Sequence, residues 1–404
     1  MPIPELIVPL ARPELGAEEI AAVSRVLASG WLTMGPEVEA FEREFADTVG
    51  APAACAVSSG TAALHLALLV AGVRAGDEVI TVSHSYIATA NAIRHCGATP
   101  VFADIEPANC NIDPAGIEPL ITPCTRAIVA VHQMGMPCAV NEVVAIARRH
   151  GLCVIEDAAC AVGSSIRTGG QWRRVGLPHA DIACFSLHPR KLLTTGDGGM
   201  ITTARPEWIE RLRRLRNQGM DTPSHQRFRA AGVLDESYPE IGYNYRMTDV
   251  QAAIGRVQLR RLEGMLQRRR QLADRYRASL AGLPWLSLPQ EPDWARSNWQ
   301  SFATRLAPGI GQRALRVALR ARGIATQRGI MNAHREPAWP HGTWRCAARQ
   351  GCACSPFRCA ALAHSERAQD ESLLLPLFST MTDAEQDLVV HALLTIGNEH
   401  WARQ

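Results

Sequence analysis

The sequence predicts an α/β protein with a large domain built on a mostly parallel sheet, followed by a smaller C-terminal α+β domain. Two observations predict this fold class. Between residues 50 and 205, short apolar runs rich in β-forming residues alternate with helical stretches, a pattern typical of parallel sheets covered on both faces by helices. The chain also has 404 residues, and chains of this length usually divide into two units.

The predicted strands of the large domain share a continuous apolar character, which is typical of strands buried on both faces. They are AACAV (53–57), EVITV (78–82), TPVFAD (99–104), AIVAVH (127–132), LCVIEDA (152–158), IACFS (182–186) and GMITT (199–203). The helical stretches that separate them include 61–73, 87–96 and 139–150. This order of elements predicts a sheet with a layer of helices on each face.

The C-terminal part begins with an amphipathic pattern from Thr248 to about Leu280, which predicts one long connecting helix. A strand at 299–305, a helix near 311–322 and a final helix near 382–396 follow. We therefore divide the chain into three parts. They are an N-terminal segment (1–25) that packs across the two units, a large domain (26–260) and a small C-terminal domain (261–404).

The composition excludes several classes of protein. The net charge of +3 and the pI near 8.3 are too mild to predict binding to nucleic acid. No stretch of 18 apolar residues occurs, and the N-terminus has neither a basic nor an apolar signal region, so we expect a cytoplasmic protein without a membrane span.

The cysteines predict no disulfide framework. Most of the twelve lie in apolar runs, where a free cysteine behaves as a small hydrophobic residue. One cluster differs, with the spacing C-x5-C-x-C-x4-C at Cys346, Cys352, Cys354 and Cys359. This spacing matches no common zinc pattern, so we expect no metal site and a cysteine-rich loop within an irregular segment at 335–365.

The lysine content is the most unusual compositional feature. Lys191 is the only lysine among the 42 Lys and Arg residues. Arginine supplies charge as well as lysine does, but it cannot supply a primary amine that loses its proton. Lys191 is therefore a candidate for amine chemistry, with chance survival as the alternative.

Four segments follow predicted strands, at the strand ends where open α/β sheets bind their ligands. They are SSGTA (58–62), Tyr86, Asp157 and Lys191, which lies in FSLHPRKLLTTGDGG. Each has an ordinary alternative when taken alone. These are a helix cap for SSGTA, ordinary packing for Tyr86, a helix cap or a metal ligand for Asp157, and a surface lysine in a glycine-rich turn for Lys191. Their joint occurrence favours one composite site.

Together these segments predict a site for pyridoxal phosphate (PLP). The N–H groups that open a helix at 58–62 can bind a phosphate, and the Tyr86 ring can stack on a pyridine face. Asp157 can pair with a protonated pyridine nitrogen and so keep the ring an electron acceptor. The Lys191 amine can form a Schiff base and later move a proton.

The sequence resembles the DegT/DnrJ/EryC1/StrS aminotransferases, a branch of the fold-type I PLP enzymes, over nearly the whole chain. The segments that carry the resemblance are SGWLTMGPEVEAFEREFA (29–46), SSGTAALHLAL (58–68), GDEVITVSHSYIATANAI (76–93), GATPVFADI (97–105), VIEDAACAVGS (154–164), FSLHPRKLLTTGDGGM (185–200), GYNYRMTDVQAAIG (242–255) and LLLPLFSTMTDAEQ (373–386). This set, in this order, is specific for the family but not for one substrate.

The resemblance implies a role for each matching position in the cofactor site. Lys191 matches the Schiff-base lysine, and Asp157 matches the partner of the pyridine nitrogen. Cys160 stands where the family usually has Gln or His against the cofactor's phenolic oxygen, and a thiol is a weaker hydrogen-bonding group. The other matching positions are Gly60, Thr61 and Ser186 at the phosphate and Tyr86 as the stacking ring.

The resemblance also implies a homodimer whose active sites are shared between subunits. Asn244 lies in the loop that reaches the phosphate of the neighbouring subunit's site, with Arg246 as the alternative for that contact. His334 falls near a substrate-contacting histidine, and Trp31 and Thr33 fall in an N-terminal segment that lines the site.

The function that the resemblance implies is transamination by a ping-pong mechanism. L-glutamate or L-glutamine would donate the amino group, and a keto sugar, usually nucleotide-linked in this family, would accept it. Amination of a cyclitol or another carbocyclic precursor is one alternative, and a PLP-binding regulator without turnover is another. Sugar dehydratases of the family carry histidine at the Schiff-base position, so Lys191 argues against that branch.

Overall fold

The computed structural model describes residues 7–221, 235–347 and 357–400. Its strands are β1 (Ala53–Val57), β2 (Glu78–Val82), β3 (Thr99–Ala103), β4 (Thr125–Val131), β5 (Cys153–Asp157), β6 (Ser165–Thr168), β7 (Gln171–Arg174), β8 (Ile182–Ser186), β9 (Gly199–Thr203), β10 (Leu286–Ser287), β11 (Ala295–Arg296), β12 (Phe302–Leu306), β13 (Gln327–Arg328), β14 (Arg345–Cys346) and β15 (Ser372–Leu375). Its α-helices are α1 (Ala17–Ser29), α2 (Pro36–Val49), α3 (Gly60–Val70), α4 (Ala88–His95), α5 (Val140–Arg149), α6 (Pro206–Leu215), α7 (Asp249–Arg260), α8 (Leu262–Leu280), α9 (Gln312–Ala321), α10 (Ala363–Glu371) and α11 (Asp383–His400).

The large sheet has the strand order β1-β9-β8-β5-β4-β2-β3-β14. Strand β9 runs antiparallel to both of its neighbours, and the remaining pairs are parallel. The prediction of a mostly parallel sheet is thus confirmed. Because β1, β2, β4, β5 and β8 run in one direction, their carboxyl ends meet at one edge of the sheet.

Helices cover both faces of this sheet, which explains the continuous apolar runs. On one face, Phe41 and Phe45 of α2 pack in the same core as Val154 of β5. On the other face, Leu66 of α3 packs in a second core with Ile155, the next residue of β5. Successive residues of a strand point to opposite faces, so a strand between two helical layers must be apolar at nearly every position.

The C-terminal unit has a four-stranded sheet in the order β10-β12-β15-β13, with antiparallel pairing throughout. Its core joins Tyr276 of α8, Phe302 of β12 and Leu319 of α9. Val8 forms a bridge with Ile324 in this unit, whereas α1 packs against α7. The domain limits of 1–25, 26–260 and 261–404 stay predictions.

The predicted helix from Thr248 to Leu280 is wrong in one respect, because it is interrupted at Arg261. The N–H of Arg261 donates to Gln258 O, a contact of the tighter i−3 type, at 3.1 Å. The Arg261 guanidinium also forms an ion pair of 3.0 Å with Glu19 of α1. Apolar positions continue on both sides of this break, so periodicity could not reveal it.

The segment 335–365 contains a regular element that the sequence did not predict. Strand β14 joins the edge of the large sheet, parallel to β3. The Sγ atoms of Cys346 and Cys359 are 3.6 Å apart, in an apolar cluster with Phe102 and Trp344. Cys352 and Cys354 lie outside the described residues.

Two further features of the fold concern a short hairpin and the length of the helices. The short hairpin of β6 and β7 was not predicted, because its strands carry little apolar pattern and only Ile166 among their residues is buried. Within the described ranges, no helix is long and apolar enough to cross a lipid bilayer.

Candidate active site

Asp157 is the last residue of β5 and lies at the carboxyl edge of the sheet. Its side chain is buried, with 4% exposure. One carboxylate oxygen accepts a hydrogen bond of 2.7 Å from the Thr89 hydroxyl, and the other accepts one of 3.2 Å from the N–H of Ala159. Burial raises the pKa of the Asp157 carboxyl, whereas these two donors and the charge of Lys191 oppose that rise.

Three more polar residues, His132, Glu156 and Ser85, support the end of β5 and the Asp157 carboxylate. The N–H of His132, which follows β4, donates to the Asp157 carbonyl at 3.0 Å. The His132 Nε2 atom lies 3.0 Å from a carboxylate oxygen of Glu156, and both side chains are fully buried. The Thr89 hydroxyl in turn lies 2.8 Å from the Ser85 hydroxyl. These groups fix the end of β5 and the direction of the Asp157 carboxylate.

Lys191 lies in the turn that follows β8. Its N–H donates to His188 O at 2.8 Å, and its Nζ atom lies 3.0 Å from the Sγ atom of Cys160. The turn after Asp157 and the turn after β8 therefore meet at the Lys191 amine. The charge of Lys191 therefore opposes the rise that burial causes in the pKa of the Asp157 carboxyl.

The glycines after Lys191 permit a close approach of two main chains. A Cβ atom at Gly199 would lie 2.4 Å from the Ser59 carbonyl oxygen. Likewise, a Cβ atom at Gly60 would lie 2.8 Å from the Cβ atom of Ser186. Only glycine at these positions allows α3, β8 and β9 to lie this close together.

Helix α3 opens at the same edge of the sheet. Ser59 caps the helix, and its hydroxyl accepts a hydrogen bond from the Ala62 N–H at 3.1 Å. The N–H groups of the first turn, which include those of Gly60 and Thr61, have no acceptor within a helix. The start of α3 therefore offers N–H donors beside Ser186, in an arrangement suited to an anion.

The segment around Asn244 approaches this helix start from the side. Ser58 donates its N–H to Tyr245 O at 2.8 Å. Asn244 forms a bridge with Asn217, and the Arg246 guanidinium donates to the Asn217 side chain at 2.8 Å. Asn244 is therefore held close to the residues that precede α3.

Tyr86 and His334 differ sharply in their exposure. Tyr86 is 70% exposed, so its ring is available for stacking. His334 is 3% exposed, with its Nδ1 atom 2.6 Å from Ser83 Oγ and its Nε2 atom 3.1 Å from a Glu366 oxygen. A substrate contact through either ring nitrogen would have to displace one of these partners. Burial lowers the pKa of the His334 ring, although Glu366 opposes the change.

Trp31 and Thr33 lie beside the start of α7. Thr33 forms a bridge with Thr248, and a Cβ atom at Gly35 would collide with the Trp31 ring. The Gln251 side chain of α7 donates to Asp197 O at 2.7 Å. This contact connects α7 to the glycine-rich turn after Lys191, whereas the role of Trp31 and Thr33 toward a substrate stays a prediction.

Sequence reasoning missed three polar residues that hold this site together, namely Thr89, Asn298 and Gln300. Thr89 lies within helix α4, where a threonine carries no special signal. Gln300 lies in the segment 299–305 that we predicted as a strand, although β12 begins only at Phe302, and Asn298 comes just before that segment.

The comparison with known proteins agrees with this geometry. The model of the DegT/DnrJ/EryC1/StrS aminotransferase family matches residues 13–394. The chain belongs to this family. It is 37% identical over 392 residues to the spore coat polysaccharide biosynthesis protein SpsC of Bacillus subtilis (strain 168), covering 96% of each chain.

Solved structures of similar proteins have the same fold as this aminotransferase. DesV from S. venezuelae has a TM-score of 0.84 and 36% identity, with 97% of this chain and 99% of that chain covered. Spr1654 from Streptococcus pneumoniae, in its PLP form, has a TM-score of 0.85 and 26% identity, with coverage of 97% and 99%. The predictions of fold-type I architecture and of an aminotransferase are therefore confirmed.

Proposed function

We propose that this aminotransferase holds PLP through Lys191 and Asp157, and that it transfers an amino group from L-glutamate or L-glutamine to the keto group of a nucleotide-linked sugar. The observation that carries the proposal is the 3.0 Å contact between Lys191 Nζ and Cys160 Sγ, which brings the amine to the turn that follows Asp157. Lys191 is the only lysine of the chain, and its charge acts on the buried carboxyl of Asp157.

The residues present fit PLP on three counts. Asp157 is a buried carboxylate held by hydrogen bonds from Thr89 and Ala159. Burial raises its pKa, and a cationic pyridine ring would stabilise its charged form. The start of α3 offers N–H donors beside Ser186, whose Cβ atom would lie 2.8 Å from a Cβ atom at Gly60, and such donors suit a phosphate. The exposed Tyr86 ring lies on the loop after β2, one residue beyond Ser85, whose hydroxyl contacts Thr89.

The chain's own residues then have distinct tasks. Bound PLP supplies an electron sink that stabilises negative charge on the substrate carbon. Asp157 would bind the pyridine nitrogen, and Thr89 and Ala159 hold its carboxylate in a fixed direction. The Lys191 amine would attach the cofactor and would then carry a proton to and from the substrate carbon. The Cys160 thiol lies 3.0 Å from that amine, and we assign it the contact beside the phenolic oxygen.

The donor and the acceptor are proposed from the family. SpsC is a polysaccharide biosynthesis protein, which favours a sugar as the acceptor. We also propose a homodimer in which Asn244, or Arg246 in its place, reaches the phosphate bound by the partner subunit.

The test of the function is spectroscopic. The purified protein should take up PLP and turn yellow, and L-glutamate or L-glutamine should bleach the colour until a keto sugar restores it. Lys191→Arg is the matched control, because arginine keeps the charge but cannot attach the cofactor covalently. A wild-type protein that stays colourless with added PLP would refute the proposal. A yellow protein that no keto sugar restores, but a keto carbocycle does, would move the acceptor to the alternative class.

The shared site is tested by mixing inactive variants. If each site uses residues of both subunits, Lys191→Ala protein mixed with protein carrying Asn244→Ala and Arg246→Ala regains part of the activity. The reason is that one site of each mixed dimer is then complete. No recovery in dimers shown to exchange subunits would place Asn244 and Arg246 with the Lys191 of their own chain.

A further inference from the structure

Gln300 holds the main chain on both sides of Lys191. Its Oε1 atom accepts a hydrogen bond of 2.9 Å from the N–H of Leu192, and its Nε2 atom donates one of 2.6 Å to the carbonyl of Arg190. The side-chain amide of Gln300 therefore hydrogen-bonds to both residues that flank Lys191. Gln300 itself precedes β12, so it belongs to the C-terminal unit rather than to the sheet that carries Lys191.

Asn298 makes the corresponding contacts on the turn that carries Cys160. Its Nδ2 atom donates to the carbonyls of Cys160 and Val162, at 2.9 and 2.8 Å. Its Oδ1 atom accepts the N–H of Gln300 at 2.8 Å. The two amides therefore join the two turns whose side chains meet in the 3.0 Å contact between Lys191 Nζ and Cys160 Sγ.

The segment 297–301, which we name the brace, is itself held firmly. Trp299 has a φ of +52°, a left-handed conformation that costs a residue with a side chain roughly 1–2 kcal/mol. Its ring is buried against Phe302, with centroids 5.8 Å apart. The buried Arg269 guanidinium donates to the carbonyls of Trp299 and Gln300, at 2.8 and 3.3 Å. Packing and hydrogen bonds together keep this backbone in a conformation that it would otherwise leave.

The large domain also accommodates the brace closely. The N–H of Asn298 donates to Ser164 Oγ at 2.9 Å, and that hydroxyl donates to Gly135 O at 2.7 Å. A Cβ atom at Gly135 would lie 2.0 Å from Asn298 Oδ1. The contact between the brace and the turns after β4, β5 and β8 is thus built from fixed groups on both sides.

We propose that Gln300, supported by Asn298, is a positioning residue that sets where the Lys191 amine approaches the cofactor. The inference rests on the proposed role of Lys191. A lysine side chain has four rotatable bonds, so its reach is defined only when its main chain is fixed. Displacing a reacting group by about 1 Å can cost about 100-fold in rate, and the two amide contacts prevent such a displacement of residues 190–192.

The test compares Gln300→Met with wild type and with a matched control. Methionine has nearly the same length and volume as glutamine but forms neither hydrogen bond. The control is Gln312→Met, because Gln312 holds two carbonyls, Gln369 O and Ser372 O, at 3.0 and 2.6 Å within the C-terminal unit. The full-length apo-protein of each variant is mixed with PLP, and the rate at which the visible band develops is recorded. The pH midpoint of that band and the thermal midpoint of the apo-protein are also measured.

We expect Gln300→Met to capture PLP at least about tenfold more slowly than wild type, with a shifted pH midpoint. Gln312→Met should capture PLP at the wild-type rate, even if its thermal midpoint falls as far. Gln300→Glu keeps the acceptor for the Leu192 N–H, so its rate of PLP capture should lie between those of wild type and Gln300→Met. If the methionine variant does not fold, Gln300→Glu is compared with wild type instead.

The outcomes separate this inference from the proposed function. A wild-type protein that captures no PLP would refute the function of Lys191 itself. If wild type captures PLP and Gln300→Met equals the Gln312→Met control in rate and in pH midpoint, then Gln300 has only a structural role and the inference is wrong.

Discussion

Removing the Thr89 hydroxyl should destabilise the protein in a pH-dependent manner. Its hydrogen bond of 2.7 Å to the Asp157 carboxylate is made to a charged group in a buried place. Such bonds contribute about 1.5–3 kcal/mol. Thr89→Val keeps the shape of the side chain but leaves one carboxylate oxygen without this donor. The pKa of Asp157, already raised by burial, should rise further.

The sign of the pH dependence follows from that direction. An acid whose folded-state pKa is raised destabilises the folded protein when it is charged, and the cost disappears as the pH falls through that pKa. Thr89→Val should therefore be less stable than wild type by about 1.5–3 kcal/mol at neutral pH, and the difference should shrink in acid.

The assay is thermal unfolding of the apo-protein across a series of pH values, since PLP would otherwise contribute its own charge. Thr89→Ser is the control, because serine retains the hydroxyl donor and should stay close to wild type. The reasoning is refuted if Thr89→Val unfolds at the same temperature as wild type at neutral pH. It is also refuted if the difference between the two proteins grows as the pH falls.

Two further substitutions test the packing around the site and the buried pair of Glu42 and Arg216, both of which hydrogen-bond to the main chain of Ala56 in β1. Gly60→Ala should weaken PLP binding by about tenfold or more, because the added Cβ atom would lie 2.8 Å from that of Ser186 and push apart the phosphate donors. The control is Gly264→Ala in α8, where a Cβ atom meets nothing within 4 Å, and this variant should bind PLP as tightly as wild type. Equal PLP affinities of the two variants in a titration would contradict this account of Gly60. Glu42→Ala should lower the free energy of unfolding by about 3–5 kcal/mol, because it leaves the buried Arg216 guanidinium without its ion-pair partner. Denaturation in urea measures this loss, and a change below about 1 kcal/mol would show that Arg216 finds other acceptors.

The Lys191–Cys160 contact concerns a position where we predicted a departure from the family's pattern. We predicted that Cys160 stands in place of the usual Gln or His, and its thiol lies 3.0 Å from the Lys191 amine. Asn298 binds the carbonyl of the same residue at 2.9 Å. The position of Cys160 is therefore fixed through its main chain, which does not depend on the side chain that the position carries.

The sequence alone determined the large sheet and marked Lys191, Asp157 and the start of α3 as candidates for the site. Strands β1, β2, β8 and β9 have the predicted limits, because strands buried on both faces need an unbroken apolar run. Lys191 was recognisable as the sole lysine. Asp157 and the start of α3 were recognisable because parallel strands carry their functional groups at the carboxyl end.

Only the tertiary structure decided how these residues are held. Thr89 and Asp157 are 68 residues apart in the chain, and Gln300 and Leu192 are 108 apart. A threonine or glutamine has no sequence signal for a partner at such a distance, because its hydrogen bond depends on where the fold brings the other group. The break at Arg261 and the edge strand β14 were hidden for the same reason, since each is fixed by contacts with distant segments rather than by local pattern.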